Sequence, residues 1–331
     1  MYNEIFELPK GFLEARHQDL LQLLKKPTLI HLEGEIKSPL FITTLLHGNE
    51  DSGLIALQQL LKKYSSNPLP RSLSIFIGNI EAAAEDMRHL PNQPDYNRIW
   101  PGTDHNECNE TLLMHKIVSI MKDRQPFASI DLHNNTGRNP HYGCVNRLSP
   151  QYLQLARLFS HTVVYFTTPK GVQSEAMAKI CPAVTLECGK VGELDGIDHA
   201  CRYIQTVLEL EHLPDHVPSD IDLFHTVARV TILDDLDFSF DGSGDLTLDG
   251  SIELYNFKEI HEGTRFATLN TEIEKIFNVF DDHGNDLVDD FFIQEGNTIK
   301  LKKSVMPSMF TKDREVIKQD CLCYLMERLQ H

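Results

Sequence analysis

The sequence predicts an α/β protein in which a mixed, largely parallel sheet is flanked by helices, with a smaller C-terminal β-rich domain. Through the first two-thirds of the chain, apolar runs typical of buried strands alternate with amphipathic helical segments. After residues 211–220, which contain two prolines and several acids, the pattern changes to short strands and Gly/Asp turns. We therefore predict one domain at 1–215 and a second at 221–331.

Each predicted element has its own pattern in the sequence. The strands are apolar runs without helical spacing, and the helices have apolar residues at intervals of three and four. The predicted strands are 29–36, 40–48, 72–80, 127–134, 142–148, 162–169 and 182–189. The predicted helices are 51–63, 110–122, 150–159 and 193–211. In the second domain we expect short strands and one short helix near QDCLCYLMERL (319–329).

Composition and charge exclude several classes of protein. The chain has 331 residues and a formal net charge of −17, which argues against binding a nucleic-acid backbone. No apolar run reaches the roughly 18–20 residues of a membrane span, so we expect no membrane partner. The start, MYNEIFELPKGF, does not have the pattern of a secretory signal. The seven cysteines have no disulfide-scaffold spacing, which predicts reduced thiols in a cytoplasmic protein.

The segment LLHGNEDSGL (45–54) places His47 and Glu50 directly after an apolar strand. Open α/β sheets form their sites in the loops at strand ends, and both residue types are zinc ligands. The same pair also fits an ordinary strand-to-helix turn, in which Gly48 supplies backbone freedom and acidic residues favour the helix N-terminus. The segment alone does not decide between a metal site and a turn.

The segment SIDLHNNTG (129–137) supplies a third candidate ligand, because His133 ends another apolar strand. Two histidines and one carboxylate leave one coordination position for water, which is typical of catalytic rather than structural zinc. Asp131 shares a strand face with His133 and is a plausible acceptor for its ring N–H. The alternative is a strand-end histidine bonded to a neighbouring carbonyl, but the presence of His47 and Glu50 favours the metal.

The segment TLECGK (185–190) contains a carboxylate, Glu187, within an apolar strand. Burial of a carboxylate is unfavourable unless the group is paired or functional. Near a metal-activated water, Glu187 would suit a general base that accepts a proton and passes it to a leaving nitrogen. The alternative is a structural ion pair with a buried cation, for which Lys190 is a candidate.

The segment GNIEAAAEDMRHLPNQPDYNRIWPG (78–102) contains Arg88, Asn97 and Arg98. An arginine near a metal can polarise a scissile carbonyl, and a second can bind a substrate carboxylate through two parallel hydrogen bonds. The alternative for Arg98 is a plain salt bridge with Asp95. In such an acidic chain, arginines near the other motifs favour an anionic substrate.

The motifs HGNE, DYNR, DLHN and TLECGK, in this order and spacing, resemble those of the succinylglutamate desuccinylase/aspartoacylase family. That family has a zinc carboxypeptidase-like fold. The resemblance implies one Zn²⁺ per chain, held by His47, Glu50 and His133. It also implies hydrolytic removal of an acyl group from an N-acyl amino acid, with a C-terminal domain that caps the substrate channel.

The resemblance assigns roles to further residues. Glu187 matches the family's catalytic glutamate, and Arg88 matches its carbonyl-polarising arginine. Asn97 and Arg98 match the pair that binds the substrate carboxylate. The sequence departs from the family in two places. A further arginine before Glu187 is missing, with only Lys179 nearby, and the tyrosine and lysine that aspartoacylases use from the C-terminal domain cannot be placed in this sequence. These gaps concern specificity for the acyl group and leave the zinc chemistry intact.

Two other functions fit part of the pattern. A zinc carboxypeptidase acting on a small or cell-wall peptide needs the same metal, base and carboxylate-binding arginine. A non-catalytic zinc-binding protein needs the ligands but no base, so Glu187 argues against it. We expect a small anionic N-acyl amino acid as the substrate. The sequence leaves open the acyl group, the amino acid and the oligomeric state, including a homo-oligomer.

Overall fold

The computed structural model of the chain describes residues 2–273 and 275–329. The chain divides into two compact units. The first contains the residues up to Asn134 and His141–Asp222, and the second contains Asn135–Pro140 and the residues from Leu223 onward. The ranges 1–215 and 221–331 stay a prediction, and their outer ends at 1 and 330–331 lie outside the described residues. No described helix has the length and apolar character needed to cross a lipid bilayer.

The first unit contains a mixed sheet in the order β1-β2-β4-β3-β5-β8-β6-β7. Its strands are β1 (Asn3–Ile5), β2 (Thr28–Leu32), β3 (Gly34–Thr44), β4 (Leu69–Ile77), β5 (Ala128–Asn135), β6 (Tyr142–Val145), β7 (Thr162–Tyr165) and β8 (Ala183–Lys190). The pairs β1/β2, β3/β4, β3/β5 and β6/β7 are parallel, whereas β2/β4 and β6/β8 are antiparallel. The predicted α/β class with a mixed, largely parallel sheet is therefore confirmed.

Seven α-helices are described in the first unit. They are α1 (Leu20–Leu24), α2 (Ser52–Lys63), α3 (Ile80–Ala84), α4 (Asn109–Arg124), α5 (Pro150–Arg157), α6 (Gln173–Met177) and α7 (Leu194–Glu209). The four longer ones correspond to the four predicted helices. The three helices of five residues were not predicted, because a segment of little more than one turn is too short to show helical spacing.

The strand predicted at 29–36 divides between β2 and β3, and β3 continues into the strand predicted at 40–48. The pairing of β3 with β4 changes register between Ile36 and Leu40, where the sequence indicated a break. At the other end Leu45 has a left-handed φ of 54°, which is uncommon for a residue other than glycine and turns the chain out of the sheet. The strand predicted at 40–48 therefore ends early, and residues 46–51 form the turn between β3 and α2.

Arg71 on β4 is a fully buried arginine held by backbone groups and an aromatic ring. Its guanidinium donates to the carbonyl oxygens of Ser38, at 2.8 Å, and Leu210, at 2.7 Å. Its central carbon lies 3.9 Å from the ring centre of Phe127. Because Leu210 directly follows α7, this cation also balances the partial negative charge at the end of that helix.

Replacement of Arg71 by methionine should destabilise the first unit. Methionine keeps much of the apolar volume but leaves two carbonyl oxygens without their donor, at about 1–3 kcal/mol for each. We expect the free energy of unfolding in urea to fall by about 2–5 kcal/mol. Arg16→Met is the matched control, since Arg16 is exposed, and its urea midpoint should not change. Equal urea midpoints for the two variants would contradict this account of Arg71.

The second unit is β-rich, as predicted for the C-terminal part of the chain. Its strands are β9 (Asp222–Ile232), β10 (Phe238–Ser239), β11 (Leu246–Leu248), β12 (Arg265–Leu269), β13 (Phe277–Phe280), β14 (Phe292–Glu295), β15 (Thr298–Leu301), β16 (Met306–Ser308) and β17 (Cys323–Arg328), and its helices are α8 (Val288–Phe291) and α9 (Arg314–Gln319). β10, β11, β12, β15 and β14 form a five-stranded sheet, while β17 pairs with β9 and β16. Phenylalanines form much of its core, namely Phe266, Phe277, Phe292 and Phe310.

The short helix predicted near 319–329 is wrong. Most of this segment forms β17, which pairs with strands on both sides, and α9 ends at Gln319. Cys323, Leu325 and Met326 are all buried, so the strand is apolar on both faces and does not alternate. A short continuous apolar run is compatible with a helix or with a buried strand, and the pairing decides in favour of the strand.

Candidate active site

His47, Glu50 and His133 lie together in the first unit, and all three side chains are buried. The Glu50 carboxylate lies between the histidines, with Oε1 2.7 Å from His47 Nδ1 and Oε2 2.7 Å from His133 Nδ1. The two Nδ1 atoms are 3.2 Å apart. Within residues 2–273 and 275–329, this is the only group of three His, Cys, Asp or Glu with the geometry to hold a metal.

The turn that carries two of these ligands is held in place by a close backbone contact. The Gly48 N–H donates to the carbonyl oxygen of Arg88 at 3.0 Å. A Cβ atom at Gly48 would lie only 2.2 Å from the backbone nitrogen of Ala83 in α3, so only glycine fits. This contact positions His47 and Glu50 next to the segment that contains Arg88.

Each histidine ligand has a carboxylate on its other ring nitrogen. His47 Nε2 lies 3.2 Å from Asp95 Oδ1, and His133 Nε2 lies 2.8 Å from Asp131 Oδ2. Because an ionised carboxylate only accepts hydrogen bonds, these partners assign the ring proton to Nε2. The Nδ1 lone pairs of both rings are then directed at Glu50, in the orientation of metal ligands.

The donor set fits a divalent cation. Electron pairs on two imidazole nitrogens and one carboxylate converge, and they repel unless a positive charge lies between them. Burial disfavours the protonated ring of His133. The negative charges of Asp131 and Glu50 outweigh burial and raise the pKa of His133 well above its ordinary value. Burial likewise opposes ionisation of Glu50, but His47 and His133 lower the pKa of its carboxyl. Two nitrogens and one carboxylate oxygen, with one position left open, match catalytic zinc.

Asp131 is held by side chains as well as by His133. Thr43 Oγ1 donates to Asp131 Oδ1 at 2.5 Å, and Asn97 Nδ2 lies 3.3 Å from Asp131 Oδ2. The Asn97 Oδ1 atom accepts a hydrogen bond from the Gln173 N–H at the start of α6, at 2.9 Å. Asn97 therefore connects α6 to Asp131, the carboxylate that is hydrogen-bonded to the candidate ligand His133.

Replacement of Asp131 by asparagine should lower zinc affinity by about 10–100-fold, because the ring of His133 loses its charged acceptor. The affinity can be measured by competition with a chromophoric chelator. Asp123→Asn is the matched control, because Asp123 is exposed on α4 and should leave zinc affinity unchanged. Equal affinities for the two variants would rule out an orienting role for Asp131.

Glu187 is a buried carboxylate on β8, beside the ligand set. Burial raises the pKa of its carboxyl to about 8. The negative charge of Glu50 also raises this pKa, whereas His133 lowers it. Its Oε2 atom has no hydrogen-bond partner among the described residues. Lys190, the alternative partner considered above, is not among the charged groups with the largest effects on this pKa.

Asp95 is the residue of this site that the sequence analysis missed. It accepts hydrogen bonds from Arg88 Nε, at 3.2 Å, and Nη2, at 2.9 Å, while its other oxygen faces His47. Burial raises the pKa of Asp95, but Arg88 and His47 outweigh burial and hold it well below the usual range. From the sequence, Asp95 was predicted only as a possible salt-bridge partner of Arg98. Its position in the DYNR motif was the sequence feature that could have indicated a role in the site.

Asn97 and Arg98 follow this aspartate in the DYNR motif, after Tyr96. Asn97 is buried, and its Nδ2 lies 3.0 Å from Nε2 of the ligand His133. Arg98 is partly exposed, and its Nη1 donates to the Asn97 carbonyl oxygen at 2.9 Å. The structure thus brings Arg88, Asn97 and the three candidate ligands together, with Arg98 next in the chain.

A sequence profile of the succinylglutamate desuccinylase/aspartoacylase catalytic domain matches residues 37–210. The chain belongs to this family. Membership confirms the resemblance carried by the four motifs. The family is one of metal-dependent hydrolases, and His47, Glu50 and His133 form the candidate metal site of this member.

Solved structures of other proteins share the fold. A succinylglutamate desuccinylase from Chromobacterium violaceum has a TM-score of 0.62 at 17% identity, over 93% of this chain and 90% of that one. Murine aminoacylase 3 has a TM-score of 0.59 at 14% identity, over 89% of this chain and 96% of that one. Among curated proteins, no sequence matches this chain significantly.

Proposed function

We propose that this protein is a zinc-dependent amidohydrolase that removes the acyl group from an N-acyl amino acid. The observation that carries the proposal is the buried Glu187 carboxylate, whose Oε2 has no partner in the described residues, beside a complete His-Glu-His ligand set. Zinc held by His47, Glu50 and His133 would supply an acidified water and a Lewis acid for the carbonyl oxygen.

Glu187 is the general base in this proposal. Its carboxylate accepts a proton from water as the water oxygen bonds to the carbonyl carbon. The same proton then passes to the amide nitrogen as the C–N bond breaks, so that a carboxylic acid and a free amine are formed. A cation in the ligand set would lower the pKa of about 8 that Glu187 has by burial, and would favour the ionised base near neutral pH.

Arg88 stabilises the negative charge that develops on the carbonyl oxygen. Its position supports this role, because two of its nitrogens donate to Asp95, which is itself bonded to the ligand His47. Arg88 is also among the charged groups that act on Glu187. The single carboxylate of Asp95 thus orients both the metal ligand His47 and the carbonyl-polarising Arg88.

Asn97 and Arg98 hold the carboxylate of the amino acid. An arginine can bind a carboxylate through two parallel hydrogen bonds, which fixes the orientation of the substrate. The Nδ2 group of Asn97 lies 3.3 Å from Asp131 Oδ2 and 3.0 Å from Nε2 of the ligand His133, so Asn97 adjoins the proposed zinc site. The names of the similar structures, succinylglutamate desuccinylase and aminoacylase, support the same class of substrate.

Zinc analysis and a substrate panel test the proposal. The zinc-loaded protein should release free amine from N-acetyl or N-succinyl amino acids, as measured with an amine-reactive fluorophore. Hydrolysis of small or cell-wall peptides with no activity on N-acyl amino acids would identify a carboxypeptidase instead. Stoichiometric zinc with no hydrolysis of either class would identify a zinc-binding protein.

A further inference from the structure

One of the strands that carry the metal ligands, β5, extends past its neighbour β3. The described pairing of the two strands ends with Thr43 opposite Asp131, and Leu45 then turns β3 out of the sheet. Beyond this point, the N–H of Asn134 donates to Oε2 of the candidate ligand Glu50 at 3.1 Å. The backbone of Asn134 is therefore bonded directly to the metal site.

The side chain of Asn134 lies on the face of β5 that packs against α2. A Cβ atom at Gly53 in α2 would lie 2.6 Å from the Cβ atom of Leu132, so α2 is in direct contact with this face. Alternate residues of a strand share a face, which places Asn134 on the side of Leu132 and His133 on the other side. Asn134 is only 4% exposed, so its polar groups need partners within the protein.

The amide group of Asn134 makes three hydrogen bonds. Its Oδ1 accepts from the Ser52 N–H at 3.2 Å, and its Nδ2 donates to Ser52 Oγ and to the Gly189 carbonyl oxygen, each at 2.9 Å. These partners assign the two ends of the amide, because an N–H only donates and a carbonyl oxygen only accepts. Among side chains of this length, only asparagine offers one acceptor and two donors, so the surroundings select asparagine.

Gly189 lies on β8, two residues beyond the proposed general base. Its φ is 83°, and a Cβ atom here would lie 2.9 Å from Glu193 Oε2 and 3.0 Å from His141 Nε2, so the position requires glycine. The bond from Asn134 holds the backbone at this bend, where β8 ends. Because only two peptide units separate Gly189 from Glu187, a displacement of the bend also displaces the Glu187 carboxylate.

Asn134 thus connects a metal ligand to the strand that carries the base. Its N–H bonds to Glu50, and its Nδ2 bonds to the strand of Glu187. The two bonds respond differently to substitution, because every residue except proline keeps the N–H, whereas only the asparagine side chain supplies Nδ2. Loss of the side chain should therefore displace the base and leave the metal ligand in place.

We propose that Asn134 is a positioning residue, which fixes the end of β8, and with it the Glu187 carboxylate, relative to the zinc ligand Glu50. This inference rests on the proposed function, in which Glu187 is the general base. Asn134 acts through Glu187 and does not touch the reacting atoms.

Capping of α2 is the competing role for this side chain. The side chain of the N-cap residue Asp51 makes no cap hydrogen bond, and Asn134 Oδ1 supplies the acceptor for the N–H of Ser52, the first residue of the helix. A residue that only caps α2 would contribute to the stability of the fold and not to the position of β8.

Steady-state kinetics separate the two roles. In the zinc-loaded protein, Asn134→Ala should lower kcat for an N-acyl amino acid by about tenfold or more, because a displacement of about 1 Å can cost about 10²-fold in rate. KM and zinc affinity should be unchanged. Ser52→Ala is the matched control, since it removes a partner on α2 and keeps the bond to Gly189, so it should retain kcat.

Asn134→Leu distinguishes the lost hydrogen bond from a cavity. Leucine has nearly the same branched shape as asparagine and fills the space that alanine leaves empty, but it cannot donate to Gly189. We expect the same loss of kcat as in Asn134→Ala. Full kcat in Asn134→Leu, equal losses in Asn134→Ala and Ser52→Ala, or a loss of zinc in Asn134→Ala would each overturn the proposal.

Hydrogen exchange tests the contact without turnover. The turn after β8 is closed by the Lys190 N–H, which donates to Glu193 Oε2 at 3.0 Å, and by the Glu193 N–H, which donates to the Lys190 carbonyl oxygen at 3.2 Å. In the metal-free protein, a peptide spanning 187–193 should exchange about threefold or more faster in Asn134→Ala than in Ser52→Ala. Equal rates would overturn the proposal, even if every variant were inactive.

The two failures are distinguishable. If the unmodified zinc-loaded protein hydrolyses no N-acyl amino acid, the proposed function fails, and hydrogen exchange alone decides whether Asn134 holds the end of β8. If the unmodified protein is active and Asn134→Ala keeps full kcat, the positioning role fails and the proposed function stands.

Discussion

Replacement of Glu187 by glutamine should lower kcat by about 10²–10⁴-fold, which is the usual contribution of a positioned general base. Glutamine has nearly the same shape but cannot accept the proton of the attacking water. Zinc content should be unchanged, because Glu187 is not one of the three candidate ligands. The measurement is steady-state hydrolysis of an N-acyl amino acid, with zinc determined on the same sample.

Glu209→Gln provides the control for this prediction. Glu209 is exposed at the end of α7, so its loss should leave both kcat and zinc content unchanged. A Glu187→Gln variant with full activity would contradict the assignment of Glu187 as the general base. A variant that loses zinc and activity together would instead show that Glu187 supports the metal site.

The pH dependence adds a second readout for Glu187. Only the ionised carboxylate accepts a proton, so kcat/KM should fall as the pH drops through the pKa of this group. Burial raises that pKa to about 8, and a cation in the ligand set lowers it, so the acidic limb should lie below pH 8. The residual activity of Glu187→Gln should lack this limb.

The sequence was most informative where several motifs together pointed to one chemical function. His47, Glu50 and His133 occur at the ends of predicted buried strands, and adjacent parallel strands bring such ends together. The buried carboxylate of Glu187 was recognisable because an acid in an apolar strand needs an explanation. These features depend on local pattern and on general sheet topology, both of which can be read from one sequence.

The missed features depend on contacts between distant segments. Asp95 orients His47 from a loop far along the chain, and nothing in the DYNR motif says which ring it faces. The hydrogen bond that Asn97 accepts from Gln173 comes from α6, a helix of five residues that has no readable periodicity. β17 was mistaken for a helix because its pairing with two strands buries both of its faces.

Replacement of His133 by alanine should remove bound zinc and abolish hydrolysis. The change leaves two protein ligands, and a catalytic zinc site uses three. It also leaves the Asp131 carboxylate buried without its imidazole partner. We expect zinc content after desalting to fall from one per chain to less than about a tenth. His115→Ala, at an exposed position of α4, should retain zinc and activity.

Thermal unfolding separates loss of metal from loss of fold in this variant. Zinc that binds only the folded chain stabilises it by about 2.7 kcal/mol at a free concentration of 100 times Kd. The unmodified protein and His115→Ala should therefore gain Tm on addition of zinc, whereas His133→Ala should unfold cooperatively at a Tm that zinc does not change. A zinc-dependent Tm in His133→Ala would contradict the ligand role of His133. Asp131 would then be the first candidate for a replacement ligand, since it lies directly behind the missing ring.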